Sequence, residues 1–307
     1  MNRRRIIVAT AIAPLLWGTT YLTTTELLPA DRPLLAAAAR ALPAGLVIVA
    51  LTRTLPRGDW WWRSAVLGTL NIGAFFALLF VSAYRLPGGV SATLGAVHPL
   101  IVAVLAVVVL REPHRPRTWL AAGIGLVGVG MLVLTPGAAF DAIGVTAGLL
   151  AGTSTALGVI LTKRWGRPVG LLSFTGWQLV WGGLVLVPPM IVIEGLPAGV
   201  TTAHLAGFAW LAGPGAVVAY LLWFRGILAL PASQVSVLTF LAPLMAAALG
   251  WLVLGQSLTW LQGLGGAVIV GSVLWSQIPG ARRGSALSPV RAGAGVPWAP
   301  PRARHPL

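Results

Sequence analysis

Residues Leu86–Leu100 read LPGGVSATLGAVHPL, and residues Leu230–Leu244 read LPASQVSVLTFLAPL. Both passages begin Leu-Pro and carry a second proline twelve residues later, Pro99 in the first and Pro243 in the second. The match continues at one offset in both directions, with Phe76 falling on Tyr220 and Leu110 on Leu254. After a three-residue difference in the next loop, Trp119 falls on Trp260, Leu120 on Leu261, Gly125 on Gly266 and Gly130 on Gly271. The chain therefore reads as one unit written twice, over residues 1–136 and 137–278, followed by a segment at 279–307 that belongs to neither copy. Only the first copy has a histidine, His98, before the second proline; the second has Ala242 there.

Composition says where such a unit can live. Of 307 residues, 57% are hydrophobic and 9% charged, and the mean hydropathy is +0.88. That leaves too little polar surface to cover a water-soluble globule, so the chain reads as an integral membrane protein. The excess of 21 Lys plus Arg over 6 Asp plus Glu lies in short clusters between apolar runs. Orientation in a bilayer explains that pattern better than nucleic acid, which needs a basic patch on one soluble domain. No cysteine is present, which excludes disulfides, thiolate metal sites and a cysteine nucleophile. The start, MNRRRIIVATAIAPLLW, has the basic lead of a signal peptide without a small-residue cleavage site, so it reads as an uncleaved first helix.

A helix needs about 20 mostly apolar residues to cross a bilayer. Pro, Gly and charge clusters divide the sequence at that pitch into ten spans: 6–25, 34–51, 64–83, 88–110, 118–135, 142–162, 171–193, 204–228, 232–254 and 258–278. Ten spans place eighteen basic residues on one side, from Arg3 to the Arg304 of the tail, and only Arg32, Arg40 and Arg85 on the other. Cytoplasmic loops are enriched in Lys and Arg, so both termini are expected in the cytoplasm and the chain in an inner or plasma membrane. The tail IPGARRGSALSPVRAGAGVPWAPPRARHPL lacks periodicity and reads as a disordered basic segment that can touch anionic lipid.

Five helices per copy is an odd number, so the second copy enters the membrane inverted. The loops test this: REPHRPR at Arg111–Arg117 corresponds to the uncharged GQSLT at Gly255–Thr259. Inverted repeats are the common construction of secondary transporters, which place the substrate near the bilayer midplane between the repeats. A duplicated scaffold without transport is the plain alternative.

At this point several passages resemble a known family. Trp17-Gly18 followed by Thr19, Thr20 and Tyr21, the Arg40 of AAAARALPAG, LPGGVSATLGAVHPL and LVLGQSLTWLQGLGGAVIVGSVL are similar to the EamA-type branch of the drug/metabolite transporter superfamily. The stretch TTTELLPADRPLLAAAARALPAGL is similar to bacterial exporters of the indigoidine, or blue-pigment, type. The resemblance implies a ten-helix bundle of two inverted repeats. It also implies a central cavity lined by helices one to four and six to nine, with the fifth and tenth outside. One departure stands out: the glutamate common after the fourth and ninth helices is Glu112 in the first copy and Gln256 in the second.

Ionisable groups inside apolar spans are costly and mark functional candidates. Arg40 lies about seven residues into the second span, roughly 10 Å deep, and corresponds to Gln178 in the seventh. It reads either as an anchor for a carboxylate-bearing substrate or as a structural tie to helix-end carbonyls. His98, in the fourth span, is backed by Pro99, which together with Pro243 is expected to kink its helix. His98 reads as a pathway residue or as a hydrogen-bond partner between helices. Glu26, near the external mouth, and His98 are the proton-coupling candidates. Trp17, Tyr21, Asn71, Trp177, Gln178 and Tyr220, with Trp181 and Trp223, offer aromatic and amide faces suited to a planar or amphipathic solute. Trp60, Trp61, Trp62, Trp119 and Trp260 fall at span ends and read as an interfacial belt.

Two motif-like strings do not carry their usual chemistry. Gly123, Gly125 and Gly128 satisfy G-x-G-x-x-G but follow no strand, so helix packing is the better reading, as for Gly263, Ala267 and Gly271. Gly152–Ala156 imitates a nucleophile elbow without a His and Asp pair to activate Ser154. With no P-loop, cofactor motif or metal-ligand set, the sequence reads as an ATP-independent exporter of small metabolites working by alternating access. Its partners are a small-molecule substrate and the lipid bilayer. The rival readings are an intramembrane enzyme and a lipid- or channel-like protein.

Overall fold

The computed structural model describes residues 2–86, 93–113, 116–134, 141–197 and 199–278. The boundary between the two expected copies, most of the LPGGVSA opening of the first quoted passage and the tail at 279–307 fall outside these residues. Within them the chain is all-helical. Nine helical segments are long and apolar enough to cross a membrane: α1 (Arg3–Leu27), α2 (Pro33–Thr52), α3 (Trp60–Ala83), α4 (Thr93–Leu110), α5 (Pro116–Val133), α6 (Ala142–Trp165), α7 (Leu171–Glu194), α8 (Thr202–Ala229) and α9 (Ala232–Leu252). A further helix, α10 (Trp260–Gln277), closes the described region. It falls at the tenth expected span but is not among those nine. Gln262, Ser272, Ser276 and Gln277 interrupt its apolar run.

The outer surface is what a bilayer requires. Large apolar side chains stand out from the bundle, Val192 at 84% and Leu51 at 76% exposure, a cost in water that hydrocarbon removes. Trp61, Trp62 and Trp260 are exposed at helix ends. Inside, α2 packs along α7, α4 against α9 and α5 along α10; α3 packs on α6 and α1 on α8, while α4 also meets α6 and α1 also meets α9.

Helix starts need partners for their first amides, and two modes supply them. Asn2, Asp141, Thr201 and Thr259 cap α1, α6, α8 and α10 from within the chain just before each helix, the last two as reciprocal capping boxes. The helices α2 and α9 instead borrow a carboxylate from elsewhere. Glu194, at the end of α7, accepts from the Leu34 and Leu35 amides at 2.6 and 2.8 Å. Glu112, just past α4, accepts from the Ala232 amide at 2.9 Å and from Ser233 Oγ at 3.4 Å, and pairs with Lys163 at 3.3 Å. This explains why Glu112 is there; at the corresponding place Gln256 is exposed. The chain turns after α4 through Arg111 and after α9 through Gly255, both with positive φ, 54° and 64°.

Close approach between α5 and α10 runs through Gly125, Gly128 and Gly265. A Cβ on Gly265 would lie 2.7 Å from the Gly128 carbonyl oxygen and 2.8 Å from the Leu132 amide nitrogen. The expected Gly263, Ala267 and Gly271 stripe is on the opposite, exposed side of α10, and a Cβ on Gly263 or Gly271 meets nothing within 4 Å. The face chosen is the one that also carries Ile269, Ser272 and Ser276, all buried, because α5 offers matching glycines only there. Gly123 likewise faces open space. Gly265→Leu is therefore expected to cost about 1–3 kcal/mol by overpacking and to lower the melting temperature in detergent. Gly263→Leu, on the opposite exposed face, should leave it unchanged.

Candidate transport site

Two helices of the bundle are interrupted at matching places, and the interruptions shape the interior. In α4 the amides of Ala96 and Val97 donate to carbonyls only three residues back, at 3.1 Å, and a fresh helix begins at His98. In α9 a 3₁₀ turn at Leu238–Phe240 separates Ala232–Val237 from Leu241–Leu252. Pro99 and Pro243 thus stand in the first turn of a restarted helix, where a missing N–H costs nothing. The expected mid-helix kink is instead a tight turn just ahead of each proline, and His98 opens a helix segment. Neither proline can donate to the carbonyl four residues back, on Gly95 and Thr239 respectively. Both of those residues line the same cavity.

Two π turns sit at corresponding places in α3 and α8, Thr69–Gly73 and Gly213–Val218. Pro214 accounts for the second, since its ring cannot fit the regular ladder. Each π turn meets a polar side chain from a neighbouring helix. From α2, Arg40 donates through Nη2 to the Gly215 carbonyl at 2.7 Å and lies 5.0 Å from the Phe76 ring centre. From α7, Gln178 Oε1 accepts from Asn71 Nδ2 at 2.8 Å, and Asn71 Nδ2 also reaches Thr162 Oγ1 at 3.3 Å. Where α3 supplies Asn71, α8 has only Gly215, and the guanidinium fills that space.

Between these elements lies a cavity of about 440 Å³. Its walls are mostly apolar and aromatic: Trp17, Phe75, Phe76, Tyr220, Trp223 and Phe240, with Thr20, Thr155, Thr239, Arg40, Asn71 and His98 as polar members. Trp17 lies 5.3 Å from both Tyr220 and Trp223, centre to centre. The Trp17-Gly18 pair explains its own position: a Cβ on Gly18 would lie 2.6 Å from the Ala242 oxygen and from Met245 Cβ. Only glycine lets α1 approach α9 closely enough to hold Trp17 against the aromatic cluster. A second cavity, about 540 Å³, shares Thr20, Arg40, Phe76 and Leu79 with the first and extends to the α1–α2 loop at Pro29–Pro33.

The residues anticipated from sequence divide clearly. Trp17, Tyr21, Arg40, Asn71, His98 and Tyr220 line the cavity. Trp177 and Gln178 do not. The Trp177 indole N–H donates to the Thr54 carbonyl at 2.7 Å, at the far end of α2, so this tryptophan ties helices together. Gln178 is fully buried behind Asn71. Glu26 is exposed at the end of α1 and lines neither cavity. Ser154 lies on an unbroken helix and donates to the Leu70 carbonyl at 2.9 Å, which disposes of the elbow. Thr20, Thr155, Thr239, Phe75, Phe76 and Phe240 escaped the sequence reading. On the expected repeat, Thr155 corresponds to Tyr21 and Thr239 to Gly95.

The strongest mark of function is a group of unpaired polar atoms. Trp17 Nε1, Thr20 Oγ1, Arg40 Nε and His98 Nε2 are all buried and have no hydrogen-bond partner among the described residues. Buried polar groups are rarely left so, and all four belong to residues of one cavity, whereas the other three unpaired buried atoms, Arg63 Nε, Gln178 Nε2 and Gln277 Oε1, lie outside it.

The EamA-like transporter family matches residues 4–134 and again 142–277. The chain belongs to this family. It is 49% identical over 263 residues to protein PecM of Dickeya dadantii, covering 85% of this chain and 86% of that protein. It is 25% identical over 268 residues to YedA of Escherichia coli, described as an uncharacterized inner membrane transporter, covering 85% and 86% of the two chains. A solved crystal structure superposes with a TM-score of 0.78 over 90% of this chain and 99% of that one at 21% identity, a likeness of fold. This EamA-like protein is accordingly a multi-pass membrane transporter, and the cavity at its centre is the candidate site.

Proposed function

We propose that this EamA-like protein is a secondary-active exporter of small metabolites, amino-acid-derived or pigment- and drug-like, which binds them in the central cavity and moves them by alternating access. The observation that carries the reading is the set of four buried, unpaired polar atoms around a cavity of about 440 Å³, a size suited to a small organic solute. The helix contacts support two inverted five-helix units over 1–136 and 137–278. The helix pairings named above map onto one another when each of α1–α5 is exchanged with the helix five later, and both pairs of interruptions correspond. On this reading α10 is the tenth span, both termini are cytoplasmic, and the membrane is the inner or plasma membrane. The second cavity is then the outer vestibule, and the conformation described is open to the outside.

Purified protein in proteoliposomes should give saturable flux of intact solute. Turnover to a modified product would point to an enzyme, and lipid scrambling or current without saturation to the other rival. His98 is the candidate proton carrier inside the cavity. His98→Ala is expected to reduce flux severalfold with unchanged membrane expression; unchanged flux would remove His98 from the pathway.

A further inference from the structure

The charge and hydrogen-bonding inventory of the cavity narrows its substrate class, given the transporter reading above on which this step rests. Among the described lining residues Arg40 contributes the sole formal charge, and none is Asp or Glu. Of the four unpaired atoms, Trp17 Nε1 and Arg40 Nε can only donate, while Thr20 Oγ1 and His98 Nε2 can do either. Three other lining hydroxyls already donate to backbone carbonyls. Thr155 donates to Ala151 and Gly152 carbonyls, Thr239 to the Ser236 carbonyl, and Tyr220 to the Asn71 carbonyl. A site rich in free donors and in positive charge accepts an anion.

It also rejects a cation. A substrate ammonium close to its own carboxylate would be held near the guanidinium, with no carboxylate among the described residues of the inner cavity to neutralise it and only neutral oxygens to solvate it; Asp31, which lines the outer cavity, stands next to Arg32 in the chain. In a low-dielectric cavity like charges repel strongly, and an ionised amine without a counter-charge is costly. Position adds a direction. Arg40 and Thr20 line both cavities, whereas His98 and Gly95 line only the inner one. We infer that the cavity selects planar organic monoanions lacking a free amine. The carboxylate lies toward Arg40, Thr20 and the vestibule, the ring lies on Trp17 and Tyr220, and any neutral polar group lies toward His98.

Four probes sharing a phenyl ring test this in binding to the purified full chain, read by tryptophan fluorescence: 3-phenylpropanoate, phenylalanine, 2-phenylethylamine and 3-phenylpropanamide. The propanoate is expected to bind at least about tenfold more tightly than phenylalanine, whose added ammonium meets no counter-charge, and than the amine, which also lacks the carboxylate that pairs with Arg40. In Arg40→Gln its affinity should fall to that of the amide. In Trp17→Phe, which keeps a ring and loses the N–H, the propanoate should weaken while the amide changes little. Equal or tighter binding of phenylalanine or the amine, a preference that survives Arg40→Gln, or binding of no probe would overturn the inference. The two levels separate cleanly. Selective binding without saturable flux refutes transport and leaves the selectivity standing, and flux indifferent to charge does the reverse.

Discussion

Gly152→Trp is expected to reduce transport to background in proteoliposomes while expression and melting temperature stay near those of the parent. Gly152 lines the cavity, and a Cβ built on it would meet nothing closer than 3.9 Å, the nearest atoms being His98 Cβ and its amide nitrogen. An indole there can extend into empty space without displacing backbone, filling room that the solute needs. The contrast is Gly158, on the same helix, where a Cβ would overlap the Asn71 side chain. Gly158→Trp should therefore fail to fold, which distinguishes blocking the cavity from breaking the bundle. Wild-type flux in a well-folded Gly152→Trp would mean that solute passes elsewhere.

Arg40→Lys should lower transport of acidic substrates by at least about tenfold, because an ammonium cannot reproduce the fixed fork of a guanidinium. Arg40 already gives one N–H to Gly215 and lies over Phe76, which orients the remaining donors. Lysine retains charge but loses both restraints and the planar geometry that matches a carboxylate. Stability offers the second readout. A buried arginine in a membrane span disfavours insertion by about 2.5–3.5 kcal/mol, so Arg40→Gln should be expressed at least as well as the parent although it transports anions poorly. A folded, inactive variant assigns Arg40 to binding. An unfolded one, or equal loss for acidic and neutral solutes, would assign it to the tie with Gly215.

How much was legible in advance follows from what each signal measures. The apolar passages and the helices they form appear where expected, to within a few residues at most ends, because bilayer thickness sets a length that a sequence must match locally. The family, too, was legible in Trp17-Gly18, Arg40 and LPGGVSATLGAVHPL, residues of which meet at the cavity. What could not be read was rotation. Helices that are apolar on every side carry no amphipathic phase to say which face turns inward. From sequence Trp177 was the stronger candidate, yet it ties α7 to the end of α2 while Trp223 joins the aromatic cluster.

The same limit explains the remaining differences. Glycines four residues apart at Gly263, Ala267 and Gly271 looked like the packing stripe, but α5 has its own glycines opposite Gly265, and only the pair of helices together selects the face. Glu194 drew no notice because its role, capping a helix that starts with Pro33, depends on a partner about 160 residues away. Taken alone, the sequence determined an apolar helical membrane transporter with two related halves' worth of family signal, since composition, segment length and motif residues are properties of the chain itself. The tertiary structure decided which polar groups share a cavity and which are consumed as ties, since hydrogen-bond satisfaction is settled between helices and not along them.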